Sequence, residues 1–333
     1  MKAFTINQYG SDGKLQITEV AMPVITDNEI LVEIYAASIN QLDLKIKDGE
    51  FKRLIPYKLP LVLGHDFAGV VKKVGSSVSR FQIGDEVFAR AADFHIGAFA
   101  EYIAVNEKDV ALKPENISME AAAAVPLVAL TVWQAFVEMA NLKKGQKVFI
   151  QAGSGGVGSL AIQMAKHFGA TVATTTSKGN FEMVRKLGAD VLIDYKTQDF
   201  EMVLEDYDLV LHSQDAKNLE KSFKILKPGG KIISISGPPD KGFAEKVGLS
   251  WLMRAIISIL SRKTRKLSKR YNVEYSFLFM YADGKQLSEI AKLIESGAIY
   301  PVIDSIYDFE HTNDAMSYVQ SGRAKGKVVL KIK

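Results

Sequence analysis

Up to about residue 120 the apolar and polar positions alternate in short runs broken by turns. Leu31 to Ala37 alternates and carries β-forming residues. Gly64 to Val74 reads as another strand, entered through the extended Leu59-Pro60-Leu61. Gly75-Ser76-Ser77 marks a turn, and Gly84-Asp85 precedes the strand Glu86 to Ala89. This density of short strands predicts an antiparallel or barrel-like domain. From about Ser118 the period lengthens. Ser118-Met119-Glu120 starts a helix, and Leu130 to Ala140 predicts a second. Strands and helices then alternate, with strands expected at Lys147–Gln151, Thr171–Thr176, Val191–Asp194, Asp208–His212, Lys231–Ser236 and Val273–Phe279. Gly169-Ala170, Gly188-Ala189 and Pro228-Gly229-Gly230 fall where helices should stop. Alternation of this kind makes a doubly wound parallel sheet, so the chain is of the α/β class.

After Phe279 the pattern changes once more. Asp283 to Gly297 predicts an amphipathic helix capped by Asp283 and stopped by Gly297, followed by two short strands and a helix from Asn313 to Gln320. The tail is expected to return to the first domain. The expected partition is 1–123 and 280–333 for one domain and 124–279 for an inserted one, with a cleft between them.

Within the alternating region, Val148-Phe149-Ile150-Gln151-Ala152-Gly153-Ser154-Gly155-Gly156-Val157-Gly158 is a strand running into G-x-G-x-x-G and an amphipathic helix. Gly153 allows the tight turn, Gly155 lets backbone approach a pyrophosphate, and Gly158 lets the helix pack close to the strand. The helix N-terminus offers unpaired N–H groups to the anion. Dinucleotide binding by Gly153, Ser154, Gly155, Gly156, Val157 and Gly158 is therefore expected. An NAD site usually places an acid about 20 residues further on, for the ribose 2′-OH. Here the second strand ends Thr176-Ser177-Lys178-Gly179-Asn180. With no acid to repel a 2′-phosphate, and with hydroxyls and a Lys to bind it, the expected cofactor is NADPH.

Composition narrows the chemistry. The 333 residues suffice for two domains, and the net charge of +4 argues for no nucleic-acid partner. Cysteine is absent, which excludes disulfides and thiolate-ligated metals and fits a reducing compartment. Met1 to Asn7 reads as a strand, with neither a signal core nor a transit pattern. The longest apolar stretch, Ala121 to Leu130, is too short to span a bilayer. A cytoplasmic location is expected.

Several blocks in order resemble the medium-chain dehydrogenase/reductases, most closely their zinc-free quinone oxidoreductase and alkenal/enone reductase branch. They are Ile39-Asn40-Gln41-Leu42-Asp43-Leu44-Lys45-Ile46-Lys47-Asp48-Gly49, Gly64-His65-Asp66-Phe67-Ala68-Gly69-Val70-Val71, and Pro126-Leu127-Val128-Ala129-Leu130-Thr131-Val132-Trp133-Gln134-Ala135. The glycine turn follows, then Lys186-Leu187-Gly188-Ala189-Asp190, Tyr275-Ser276-Phe277-Leu278-Phe279-Met280, and Gly322-Arg323-Ala324-Lys325-Gly326-Lys327-Val328-Val329. The resemblance implies a GroES-like, mostly-β catalytic domain at both chain ends, a Rossmann domain between them, and a homodimer. Zinc relatives use Cys with Gly-His-Glu. This chain has Gly64-His65-Asp66 and no Cys, so no metal site is expected, and His65 reads as a buried structural residue. One departure is Ser213-Gln214-Asp215-Ala216, where the family commonly has an Asp-x-x-Gly turn.

Without a metal, conjugate reduction is the accessible chemistry. Hydride passes to the β-carbon of an enone or enal, or to a quinone, and positioned donors stabilise the oxyanion. The resemblance puts Lys45 and Asn40 at the catalytic mouth. Lys45 would contact the substrate carbonyl or the nicotinamide ribose; the other reading is a solvated Lys paired with Asp43. Asn40 would donate, or satisfy a turn. Asp66, Leu127 and Trp251 are candidates for the substrate pocket. Thr176, Ser177, Lys178, Tyr195 and Arg323 are candidates for the adenosine phosphate, and Ser236, Gly237, Phe277 and Phe279 complete the cofactor set. Two other functions stay open: a catalytically silent NADPH-binding protein and a zinc-free alcohol dehydrogenase. Residues 247–270 join an apolar half containing Trp251 to a half with six basic residues and no acid. That segment suits either weak contact with an anionic membrane surface or a crossover helix with a solvated basic end.

Overall fold

A computed structural model describes residues 1–10, 13–52, 56–246 and 250–333. The chain forms two compact units, Met1–Leu130 with Tyr281–Lys333, and Thr131–Met280.

The first unit holds β1 (Lys2–Ile6), β2 (Gln16–Glu19), β3 (Glu29–Ile39), β4 (Leu61–Val62), β5 (Asp66–Val74), β6 (Glu86–Arg90), β7 (Tyr102–Asn106) and β8 (Val110–Leu112). The second holds β9 (Lys147–Ile150), β10 (Thr171–Thr176), β11 (Val191–Asp194), β12 (Tyr207–His212), β13 (Leu226–Ser234) and β14 (Glu274–Phe277). The tail adds β15 (Ile303–Asp308) and β16 (Lys327–Lys331) to the first unit.

In the first unit β3 is the organising strand. It pairs antiparallel with β5, β7 and β16, and the sheet runs β15-β16-β3-β5-β6-β8 with β7 beside β3. The alternation expected for Leu31 to Ala37 suits a half-exposed strand, yet nearly every residue of β3 is buried. The helix Met119–Ala123 explains part of this, because its small alanines allow close packing on β3 and β5. Chain ends meet in one core. Phe4 and Phe309 stack edge to face with centroids 5.0 Å apart, and Met316, Val328 and Leu330 join Ile34, Phe67 and Phe99. Each such side chain contributes about 1.5–3 kcal/mol of apolar burial. The helix Gly284–Glu295 starts at Asp283, whose carboxylate accepts from Lys285 N and Gln286 N. Gly297, at φ 73°, follows its end.

The second unit is a six-stranded parallel sheet in the order β11-β10-β9-β12-β13-β14. Counted from β9 this is 3-2-1-4-5-6, the doubly wound arrangement whose order reverses at β9. Val148, Phe149 and Ile150 are fully buried, as a central strand covered on both faces requires. One expectation fails. Pro228-Gly229-Gly230 does not stop a helix; it lies inside β13. The preceding helix already ends at Ser222, and Gly229 at φ 81° lets the strand loop between two pairings with β12, Tyr207 with Leu226 and Leu209 with Lys231.

Candidate active-site elements

The glycine turn sits at the carboxyl end of β9, where the sheet order reverses, which is where such folds take their ligands. Ala152 adopts φ 54° and passes the chain into Gly153. A Cβ on Gly153 would lie 2.2 Å from Thr174 Oγ1, and one on Gly158 would lie 2.2 Å from the Ala152 carbonyl oxygen. Both glycines are thus needed for packing. Gly155 is the N-cap of the helix Gly156–His167 and supplies no side chain to its first-turn amides. The cradle fits a pyrophosphate, with Ser154, Gly156 and Val157 half-buried around it.

At the end of β10 a cluster of small polar groups gathers. Thr176 Oγ1 donates to Ser154 Oγ at 2.9 Å, and Asn180 Nδ2 reaches Ser154 Oγ, Thr176 Oγ1 and Ser177 Oγ at 3.2, 3.3 and 3.2 Å. Asn180 was not among the expected residues; a short polar side chain in an αβ loop gives no signal of its own. Lys178 is exposed one residue beyond Ser177. Tyr195 hydrogen-bonds through its backbone N–H to Thr176 O and leaves its ring 61% exposed. Arg323 belongs to the other unit, exposed between the helix Thr312–Gln320 and β16.

The departing turn after β12 is organised by a residue that sequence reasoning passed over. His212 is buried, with Nδ1 2.8 Å from Ser234 Oγ and Nε2 3.1 Å from the Asp215 carbonyl. Burial pushes its imidazole down, towards the neutral form. Ser236 Oγ donates to Gln214 O, and Gly237 N donates to Ser234 Oγ. Phe277 and Phe279 are half-buried against Phe243, with ring centroids 5.3 and 5.6 Å from it. Trp251, expected at a substrate pocket, is 80% exposed, at the start of a helix whose buried position is Ile257.

In the first unit, four segments converge on a buried polar centre. Asn40 caps the helix Gln41–Asp48, whose third residue, Asp43, returns the cap by accepting from Asn40 N at 2.8 Å. The other Asp43 oxygen meets His65 Nδ1 at 2.6 Å, and both side chains are fully buried. His65 Nε2 is buried without a hydrogen-bond partner. Asp66, also fully buried, accepts from Leu127 N at 2.9 Å, Asn40 Nδ2 at 2.9 Å and Ser38 Oγ at 3.2 Å. The Lys327 ammonium enters from β16. It donates to Asn40 Oδ1, to Ile39 O at 3.2 Å and to Asp66 Oδ2 at 3.4 Å. Burial pushes the Asp66 carboxyl up and the Lys327 amine down, and each partner's charge opposes the shift of the other.

This arrangement revises the expected donors. Both ends of the Asn40 amide are engaged, with Lys327 and with Asp66, so Asn40 is a fixed node of the network. Asp66 lines no open pocket, since its carboxylate has three donors and a cation within the core. Lys45 does not pair with Asp43. Its side chain is 43% exposed, and its ammonium lies 3.9 Å from Glu50. Lys327 went unrecognised because a Lys at the start of a strand reads as solvated; its one signal was the apolar run Val328-Val329-Leu330 behind it.

A six-stranded doubly wound sheet with a glycine cradle, joined in one chain to a mostly antiparallel unit built from both chain ends, places the protein among the doubly wound, dinucleotide-binding folds. Residues 26–115 match the alcohol dehydrogenase GroES-like domain, and residues 187–330 match a family described as zinc-binding dehydrogenase. The chain is 38% identical over 347 residues to a 2-methylene-furan-3-one reductase of Solanum lycopersicum, covering 99% of this chain and 79% of that protein. It is 35% identical over 345 residues to an NADPH-dependent alkenal/one oxidoreductase of Arabidopsis thaliana, again covering 99% and 79%. The solved quinone oxidoreductase of Coxiella burnetii superposes with a TM-score of 0.86 at 29% identity, over 100% of this chain and 99% of that one. The protein belongs to the medium-chain dehydrogenase/reductase superfamily, in its zinc-free quinone oxidoreductase and alkenal reductase branch.

The zinc of the family description does not fit these residues. The chain has no Cys. Among the described residues no three His, Asp or Glu side chains gather to hold a metal. Beside His65, an ammonium already provides the positive charge that Asp66 and Asn40 face.

Proposed function

We propose that the protein is an NADPH-dependent reductase of conjugated enones, enals and quinones. A bound NADPH would supply hydride to the β-carbon of the enone or enal, or to the quinone, and water the proton that completes the reduction. The backbone of Gly153 to Gly158 would hold the pyrophosphate. Ser154, Thr176, Ser177 and Asn180 would surround the ribose 2′-phosphate, with Lys178 as the cation and Tyr195 beside it. Lys45 is the donor proposed for the developing oxyanion, because its ammonium is the one in the Asn40 to Asp48 block that reaches solvent without entering the buried centre. The proposal includes a homodimer, for which β14, at the edge of its sheet, offers its outer side to a second copy.

One observation carries this reading. The region in which zinc relatives assemble ligands is here occupied by a network around Asp66 and Lys327, which favours an acceptor already electrophilic at the carbon that takes hydride. The names of the relatives agree with such acceptors. The test is NADPH oxidation with a 2-alkenal, a vinyl ketone, a quinone and a simple alcohol–aldehyde pair, before and after prolonged chelation. Turnover of the conjugated acceptors that survives chelation is expected. Turnover of the alcohol–aldehyde pair alone, or binding of NADPH with no turnover, would refute the proposal.

A further inference from the structure

The helical stretch between β13 and β14 has an outer side that neither the sheet nor the cofactor explains. In the helix Trp251–Leu260, the side chains of Trp251, Leu252, Ile256, Ile259 and Leu260 are exposed, Ile259 to 73%. Its buried position is Ile257. Ser261 and Thr264 are buried too, four and seven residues further on. That is the spacing of one helix face, so the buried stripe continues into the next helix, Arg262–Tyr271. The solvent side continues with it. On the first helix that side is apolar, with the exposed Arg254 and Ser258 at its edge. On the second it carries Arg262, Lys263, Arg265, Lys266, Lys269 and Arg270, with no Asp or Glu.

A crossover helix needs one buried stripe and is served by polar residues elsewhere. Single exposed apolar residues are ordinary, whereas a contiguous face of them marks contact with something. The charges say with what. Lys263 is tied to Glu220, and Arg265 donates to Ser261 Oγ. Arg262, Lys266, Lys269 and Arg270 have no carboxylate partner among the described residues. A second copy docked two-fold on this face would set it against itself, and residues 251–271 hold no Asp or Glu to meet those cations. A Trp-bearing apolar face continued by a cationic one is instead complementary to the acyl boundary and headgroups of an anionic bilayer.

We propose that residues 251–271 form an interfacial element that lies on anionic lipid. The apolar side of Trp251–Leu260 seats at the acyl boundary, and the basic side of Arg262–Tyr271 meets the headgroup phosphates. No helix among the described residues is long and apolar enough to cross a membrane, so the contact is peripheral.

Co-sedimentation of the full chain with vesicles tests this without substrate or cofactor, so its result is independent of the reductase reading. Vesicles of phosphatidylcholine alone are compared with vesicles containing phosphatidylserine. Binding to the serine-lipid vesicles only is expected, and it should be lost on going from about 0.1 to about 0.5 M salt as screening shortens. Lys266→Gln with Lys269→Gln should weaken partitioning roughly twenty- to thirtyfold, at about fivefold per charge. Leu252→Ser with Ile259→Ser should weaken it as well. Thermal unfolding and turnover of a water-soluble enone should stay at parental values in both variants. Absence of binding, equal binding to neutral vesicles, or full binding by the Lys pair variant overturns the proposal. So does loss of a solution dimer in the Leu252→Ser, Ile259→Ser protein, which would make this face a contact between copies.

Discussion

Replacing Lys327 by Met removes one charge from the buried Lys327–Asp66 ion pair of the first unit. Met keeps the length and apolar stem of the side chain, so no large cavity forms. What remains is the Asp66 carboxylate, fully buried, with Leu127 N, Asn40 Nδ2 and Ser38 Oγ as its donors. Removing one member of a buried pair typically costs 3–5 kcal/mol, because the other charge stays uncompensated. Three neutral donors soften that, so about 3 kcal/mol is expected. Asp66→Asn combined with Lys327→Met removes both charges and keeps an amide in the carboxylate's place. Its cost should be about 1 kcal/mol, with a coupling of about 2 kcal/mol or more between the two sites. The variant's deficit should shrink on acidification, because burial already pushes the Asp66 carboxyl up and a protonated Asp66 no longer needs the ammonium. The probe has to be chosen with care. Both tryptophans, Trp133 and Trp251, lie in the second unit, so their fluorescence reports the part left untouched. Amide hydrogen exchange of β3, β5 and β16 in graded urea reads the affected sheet directly. A single-variant cost below about 1 kcal/mol, or additive single-variant costs in the double variant, would refute the view that Lys327 and Asp66 compensate one another.

Three further outcomes are expected. Lys178→Ala should weaken NADPH about tenfold or more and leave NADH unchanged, a phosphate contact being worth about 1.5–3 kcal/mol; fluorescence titration of both cofactors decides it, and equal losses would mean that Lys178 touches no 2′-phosphate. Lys45→Met should lower kcat for an enone by about a hundredfold with little change in NADPH affinity, as for a donor used in the transition state, and a fall within about threefold would make Lys45 a solvated lysine. Lys333 and Lys72 hold the Glu33 carboxyl from an ordinary 4.5 down to about 2, so its contribution is present above about 4.5 and is lost as pH falls towards 2. Both lysines are substantially exposed, so Glu33→Gln should cost only about 1 kcal/mol at neutral pH, and denaturant titrations should show the gap closing through that acid window.

The sheet of the second unit was legible because its signals are local. Each strand is a short β-branched or apolar run, and Gly169 and Gly188 lie at positive φ just past their helices. The glycine turn was legible for the same reason: its spacing encodes a clash map, and the Cβ contacts at Gly153 and Gly158 are that map in space. The extra length of β13 was not legible. Pro-Gly-Gly is ordinary punctuation, and only the pairing with β12 shows that the strand resumes across it. Likewise the burial of β3 on nearly all positions follows from what covers it, which its own alternation cannot show.

The polar centre shows where local reading of the site ends. Asp43 and Lys45 are two apart and of opposite charge, which in a sequence suggests a pair. On the helix Gln41–Asp48 residues two apart point to different sides. Asp43 therefore turns inward to His65 and to the N-terminus of its own helix, while Lys45 turns out towards Glu50. The cation that the inner carboxylate of Asp66 receives comes instead from Lys327, 261 positions away and brought there by the pairing of β16 with β3. That pairing sets Val328 opposite Ile39, which puts Lys327 next to Asn40 and its neighbours. A Lys in a strand is costly to bury unless its partner is fixed, and a fully buried Asp is costly in the same way. Each residue taken alone argues for the surface. Only together, with Asn40 bridging them, do they form an interior site, so the chemistry of this centre resides in a register between distant strands.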